Sequence, residues 1–198
     1  MKSPYQGLPL EKWKAKTQEL IDAHPLKRKE LVEAAFSTWE SIFRSRIGPS
    51  GFRIGKDLFP KPQIMGFFLH ELLPLELATR HPRLWRGDKA SDEKDLVYIP
   101  DPAKFSVEIK TSSSLKCIFG NRSYAQVPTE GKKLKSGYYL ALNFEKFSAF
   151  NRKPKLLLVR FGWLDHSDWV GQHAESGQQC RLPPPVEQSK LITLNSGE

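Results

Sequence analysis

A sheet with helices packed on it, of the α+β or mixed α/β kind, is the fold this sequence predicts. Two observations carry that expectation: three helix-periodic stretches come first, and a block of strand-like runs follows them. A third is length, since 198 residues suit one well-cored domain and are too few to favour two.

The first helix is expected over "LEKWKAKTQELIDAH", where Leu10, Trp13, Leu20 and Ile21 fall near one stripe. A second follows in "KRKELVEAAFSTWESIFRSRIG", with Leu31, Ala35, Trp39, Ile42 and Phe43 in phase and Gly48 as the stop. Residues 49 to 62, rich in Gly and Pro, read as a loop. The third helix begins near Pro62, and Ile64, Phe67, Phe68, Leu72 and Leu75 mark its apolar stripe. Pro74 should kink or split it. Glu71 shares that stripe, where a carboxylate costs several kcal/mol unless it is paired or metal-bound.

Strand-like runs then occupy 95–99, 105–111, 138–146 and 154–163. Between the second and third lies a long, polar, basic segment, 112–136, too long for a hairpin turn. The tail from Asp165 carries "RLPPPVE", read as extended or turn, and "KLITL" as a short strand. No internal repeat or low-complexity segment interrupts the chain.

Lys plus Arg number 31 against 22 Asp plus Glu, a net charge of +9, which favours a polyanionic partner such as duplex DNA, RNA or an anionic membrane surface. The membrane option weakens because the longest clean apolar run is "LLLV" at 156–159, far short of the ~20 residues of a span. Cys117 and Cys180 are too few for a disulfide framework or a cysteine-based zinc site, so a reducing cytoplasm fits best.

The chemistry concentrates in "KDLVYIPDPAKFSVEIKTSSS". An acid two positions before a lysine occurs at Asp92, Glu108 and Glu130, and only Glu108-Ile109-Lys110 sits in a strand with alternating apolar partners. Glu108 and Lys110 then share a face, about 7 Å apart. If Ile99 pairs with Lys104 across the "PDPAK" turn, Asp95 lies opposite Glu108, with Cβ atoms roughly 5 Å apart. Two carboxylates that close repel unless a cation bridges them, and hard oxygen donors suit Mg²⁺. Lys110 would orient or deprotonate a water, or stabilise phosphate charge. Asp101, in the turn, is the runner-up acid.

The order of acidic helix, Asp95, then Glu108-x-Lys110 thirteen positions on, resembles the PD-(D/E)XK nuclease superfamily. With "FSVEIKTSSS", "FGNRSYAQ", "SGYYLALNFEKF", "LLLVRFGWLDHSDW" and "SGQQCRL", the chain from about residue 60 onward resembles type II restriction endonucleases of the ScaI-like group. One departure is that Lys94, not proline, precedes Asp95, whereas Asp101 does follow a proline. The resemblance implies a single restriction-endonuclease-like domain: a helical part over 1–60, a catalytic core over 61–164 and a C-terminal extension over 165–198. It implies a central mixed sheet flanked by helices, and a homodimer that cuts a short palindromic DNA site with Mg²⁺, leaving 5′-phosphates, alongside a companion DNA methyltransferase. Asp95, Glu108 and Ile109 would hold the metal, Lys110 would act on the water, and Glu71 would be an additional helix-borne carboxylate. A repair or junction-resolving nuclease would keep the same triad, and a non-catalytic binding module would need only the charge.

DNA contact is expected from Thr111, Ser112, Lys116, Asn121, Arg122, Ser123, Tyr124, Gln126, Lys132, Lys133 and Lys135, directly after the catalytic strand. Arg suits guanine and Asn or Gln suits adenine, while Lys and Ser position phosphates. Gln178, Gln179 and Arg181 form a second base-reading candidate. Asp165, His166, Asp168 and His173 match no metal-site spacing and read as turn-capping groups. Trp163 and Trp169 read as core or interface aromatics, and His70 as a hydrogen-bonded helix residue.

Overall fold

The computed structural model describes residues 2–127, 134–172 and 177–196. Three helices come first, α1 (Leu10–Asp22), α2 (Arg28–Arg44) and α3 (Pro62–Arg80). Then follow β1 (Trp85–Gly87), β2 (Leu96–Tyr98), the short helix α4 (Pro102–Phe105), β3 (Val107–Ser112), β4 (Phe119–Asn121), β5 (Gly137–Phe144) and β6 (Leu156–Leu164). The tail supplies β7 (Val170–Gly171), β8 (Gln179–Arg181), α5 (Pro184–Lys190) and β9 (Leu191–Ser196). The main sheet has the order β1-β2-β3-β5-β6-β9, and β4-β8-β7 form a small second sheet. Within the main sheet β3 and β5 run parallel and the other pairs are antiparallel, so the mixed sheet with flanking helices is as expected.

The period of two sorts side chains to two faces. Val107, Ile109, Leu140, Leu142, Val159 and Phe161 face α1, α2 and α3 in the larger core. Tyr139, Ala141 and Leu164 face the other way, onto Ile118, Trp169, Cys180 and Val186. Glu108 and Lys110 belong by register to this second face, since Glu108 lies beside Tyr139 and Lys110 beside Ala141.

Five expectations are corrected. In α3 the stripe faces the wrong way: Ile64, Phe67 and Leu75 are about half exposed, while Met65, Gly66, Leu69, Leu73 and Leu77 are buried. Phe68 and Leu72 only flank the core. This helix is apolar on nearly every side, so periodicity leaves its rotation undetermined. Gly66 settles it, because a Cβ there would stand 2.7 Å from Thr111 Oγ1 and hold α3 away from β3. Pro74 does not split the helix, which continues to Arg80. The "PDPAK" turn is helical, with Asp101 Oδ1 accepting from the Lys104 N–H as its N-cap. The prolines of "RLPPPVE" start α5 instead of an extended segment, since a proline in the first turn loses no helical hydrogen bond. Strand β1 lies outside the strand-like runs that the sequence marks.

The connection from α1 to α2 is pinned to the start of β3 by His24, which is fully buried. Its Nδ1 accepts from the Leu26 N–H at 3.2 Å, so Nε2–H donates to the Phe105 carbonyl at 3.0 Å. The ring sits among Tyr138, Phe161, Phe105 and Trp85. Desolvation by burial lowers its pKa from 6.5 to about 4. As pH falls the unfolded chain therefore takes up this proton before the folded one does. We expect stability to be full above about pH 6.5 and to lose about 3 kcal/mol by pH 4 through this group. Urea titrations across that range should show the slope, and His24→Gln should flatten it.

At Gly162 a Cβ would stand 1.8 Å from the Lys190 carbonyl, where β6 meets the start of β9. Gly162→Ala should cost about 3 kcal/mol in denaturant unfolding, because backbone and not a mobile side chain must give way.

Candidate active site

Strands β2 and β3 share one register pair, Leu96↔Val107, after which they part. Leu96 and Val107 are both fully buried in the larger core. Their neighbours Asp95 and Glu108 therefore turn to the opposite face, one opposite the other, in the register the sequence predicts. Both carboxylates are nearly inaccessible, Asp95 at 4% and Glu108 at 1% exposure. Where β2 leaves, the Ile109 N–H has lost its strand partner, and Asp95 Oδ2 accepts it at 2.7 Å. A buried amide without a partner would cost about 1–3 kcal/mol, so this bond fixes the carboxylate as well as the strand.

Lys110 extends along the same face. Its Nζ lies 2.7 Å from Glu108 Oε1, 3.3 Å from the Ile109 carbonyl and 2.9 Å from the Tyr124 hydroxyl. Tyr124 in turn donates to Glu108 Oε1. Burial and then the charge of Glu108 push the Tyr124 phenol well above its ordinary range, so it stays a proton donor.

From α3, His70 Nε2 reaches Asp95 Oδ2 at 3.2 Å, and Nδ1 meets Glu71 Oε1 at 3.1 Å. The hydrogen bond to Asp95 is the main reason its pKa is raised. Glu71 itself is exposed, its side chain 52% accessible, not buried on an apolar stripe. It touches the cluster through His70, beside a cleft of about 110 Å³ that also includes Pro74, Gly87 and Asp88. A groove of about 830 Å³ between α2 and the β5–β6 turn contains none of these residues. Asp101 is an exposed helix cap, away from the cluster. The sequence missed the reach of His70 to Asp95 and the place of Tyr124 between Glu108 and Lys110. A histidine one residue before Glu71 on α3 was the available signal for the first. The second had none.

Among the described residues no group of three or more His, Cys, Asp or Glu side chains is arranged to hold a metal. The donors nevertheless suit a hard divalent cation, being two buried carboxylates, together with the Ile109 carbonyl that Lys110 Nζ reaches.

The small sheet brings the two base-reading candidates together. Asn121 pairs with Gln179, and the Arg122 N–H donates to the Gln178 carbonyl at 2.8 Å. The Arg122 guanidinium donates to the Gly177 carbonyl at 3.1 Å. Lys116, Asn121, Ser123, Gln126, Gln178 and Arg181 are exposed. Lys135 Nζ donates to the Ser123 carbonyl. Thr111 points toward Gly66 on α3, and Ser112 is buried with its hydroxyl accepting from Ser114, so neither is presented as the others are. Lys132, Lys133 and His173 lie outside the described residues. Trp163 and Trp169 are core aromatics. Asp165 and Asp168 form a capping box and both receive the buried Lys190 amine.

A family model for the ScaI restriction endonuclease matches residues 3–195. The chain is 51% identical over 197 residues to the type II restriction enzyme ScaI of Streptomyces caespitosus, an alignment that covers 98% of this chain and 86% of that protein. No solved structure matches. With a match over nearly its whole length, this chain belongs to the ScaI restriction endonuclease family.

Proposed function

We propose that this restriction endonuclease hydrolyses both strands of a short palindromic DNA site with Asp95, Glu108 and Lys110, acting as a homodimer. The observation that supports the assignment is the register Leu96↔Val107, which sets both carboxylates and the lysine on one face where β2 and β3 part. Asp95, Glu108 and the Ile109 carbonyl would hold Mg²⁺, which when bound supplies positive charge at the scissile phosphate and acidifies a water. Lys110 Nζ, already among three oxygens, orients the attacking water and offsets the charge that builds on the phosphate. Glu108 holds that ammonium in place, and Asp95 is held by the Ile109 N–H and His70. The water attacks phosphorus opposite the 3′ oxygen, the P–O3′ bond breaks, and a 5′-phosphate remains. Glu71, linked through His70, is a peripheral carboxylate of this site.

Base reading falls to Asn121, Arg122, Gln126, Gln178 and Arg181 around the small sheet, with Ser123, Lys116 and Lys135 on the phosphates. Thr111 and Ser112 shape the exit from β3. Lys132 and Lys133 keep the phosphate role their composition implies. A companion methyltransferase of the same specificity would protect host DNA, and a cytoplasmic location follows from that substrate.

Digestion of a sequenced plasmid with Mg²⁺, with the ends mapped, tests the reading: discrete fragments are expected, and structure-dependent nicking would overturn it. Lys110→Ala and Glu108→Ala should each lower cleavage at least about 100-fold while duplex binding persists. Asp101→Asn should cleave as the parent does.

Asn121→Ala should lower the preference for cognate over scrambled duplex by about 1–3 kcal/mol. Lys116→Ala should weaken both alike and reduce the salt slope by about one. Binding titrations at several salt concentrations separate the two effects.

A further inference from the structure

Tyr124 belongs to two groups of residues at once. Its hydroxyl lies between Lys110 and Glu108, and its backbone belongs to the 3-10 turn Arg122–Ala125 that follows Asn121. That turn is tied to the strand opposite by the Arg122 N–H on Gln178 and the Arg122 guanidinium on Gly177. The Tyr124 ring rests against Trp169 at 5.5 Å, with Lys110 Nζ over its face at 4.5 Å and Lys135 Nζ at 5.8 Å. Gly120 is required there, because a Cβ would come within 3.3 Å of the ring and 3.0 Å of Cys180 Sγ. So close a seat means that a displaced base-reading turn takes the phenol with it.

We propose that Tyr124 is a positioning residue that couples sequence reading to cleavage. In the DNA-free protein its hydroxyl holds Lys110 and Glu108 against each other, and cognate contact with the Asn121–Gln179 pair draws the hydroxyl away. This rests on the reading of Glu108 and Lys110 as active-site residues. While the latch is closed, Glu108 Oε1 accepts from both the lysine and the phenol, and Lys110 is engaged with the enzyme's own oxygens instead of water. A correct sequence differs from a wrong one by the interactions it makes around the small sheet to which the turn is tied, and that difference is what shifts the equilibrium. Wrong sequences are then held by phosphate contacts without assembling the cleavage geometry.

The test is Tyr124→Phe, which keeps the ring against Trp169 and removes the hydroxyl alone. Calorimetric titration with Mg²⁺ in the absence of DNA should show binding about tenfold tighter than in the parent, the effect of one lost hydrogen bond to a charged group. Cleavage at sites altered by one base should rise relative to the cognate site by a similar factor. In the parent enzyme, labelled with carbon-13 at the tyrosine ζ-carbon, the Tyr124 resonance is assigned by its absence from the variant. It should shift on adding cognate duplex and stay in place with a scrambled one, a readout taken on the parent enzyme itself. Unchanged metal affinity and an unchanged cleavage ratio would overturn the proposal. So would a resonance indifferent to sequence, or an equal loss of cleavage at both kinds of site. Lys110→Ala, run alongside, separates the levels: if it still cuts, the active-site reading has failed, and if it is inert while Tyr124→Phe behaves as the parent, only the coupling has.

Discussion

The Asp95 carboxylate on the Ile109 amide is the interaction on which the site depends. A sheet in which β2 stayed paired with β3 would satisfy that amide by backbone alone, and Asp95 would have no reason to be buried. Because β2 parts after one register pair, the amide needs an acceptor, and a buried carboxylate needs a donor. Each fixes the other. Glu108 and Lys110 then project from a strand whose position is settled, and His70 reaches the same Asp95 oxygen from α3.

The approach of α3 is therefore part of what builds the candidate site. Gly66 lets the helix come down on Thr111, and the helix carries His70 one turn later. The consequence is a helix with its other apolar face outward, Ile64, Phe67 and Leu75 beside Glu71. The side chains that looked like core from their spacing line the exterior of α3 instead.

Behind the small sheet the structure relies on buried charge. Arg160 pairs with Glu187 at 3.0 Å and donates to Asn143 at 2.8 Å, while Glu187 accepts from the Ile118 N–H and Asn143 donates to the Ser114 and Cys117 carbonyls. These bonds fix the path from the end of β3 into β4. Lys190, with Asp165 and Asp168 and against the rings of Tyr5 and Trp13, does the same for the end of β6. Such pairs contribute little net stability, but breaking one leaves a charge without its partner, so they hold one arrangement of the loops in preference to others.

The sequence by itself determined the elements whose pattern is local: α1 and α2 with their stripes apart from the exposed Leu10, the strands around Val107, Tyr139 and Phe161, and the register that sets Asp95 opposite Glu108. Alternation and antiparallel pairing follow from counting residues, so Asp95, Glu108 and Lys110 were legible before any fold was known. Tertiary structure decided what local pattern leaves open. The rotation of α3 depended on Gly66 meeting Thr111, since a helix apolar all round has no preferred face. The union of Asn121 with Gln179 and the entry of Tyr124 between Lys110 and Glu108 depended on strands nearly sixty residues apart in the chain pairing across the small sheet. Pairings at that separation are chosen by what each surface buries, and that choice involves the whole molecule.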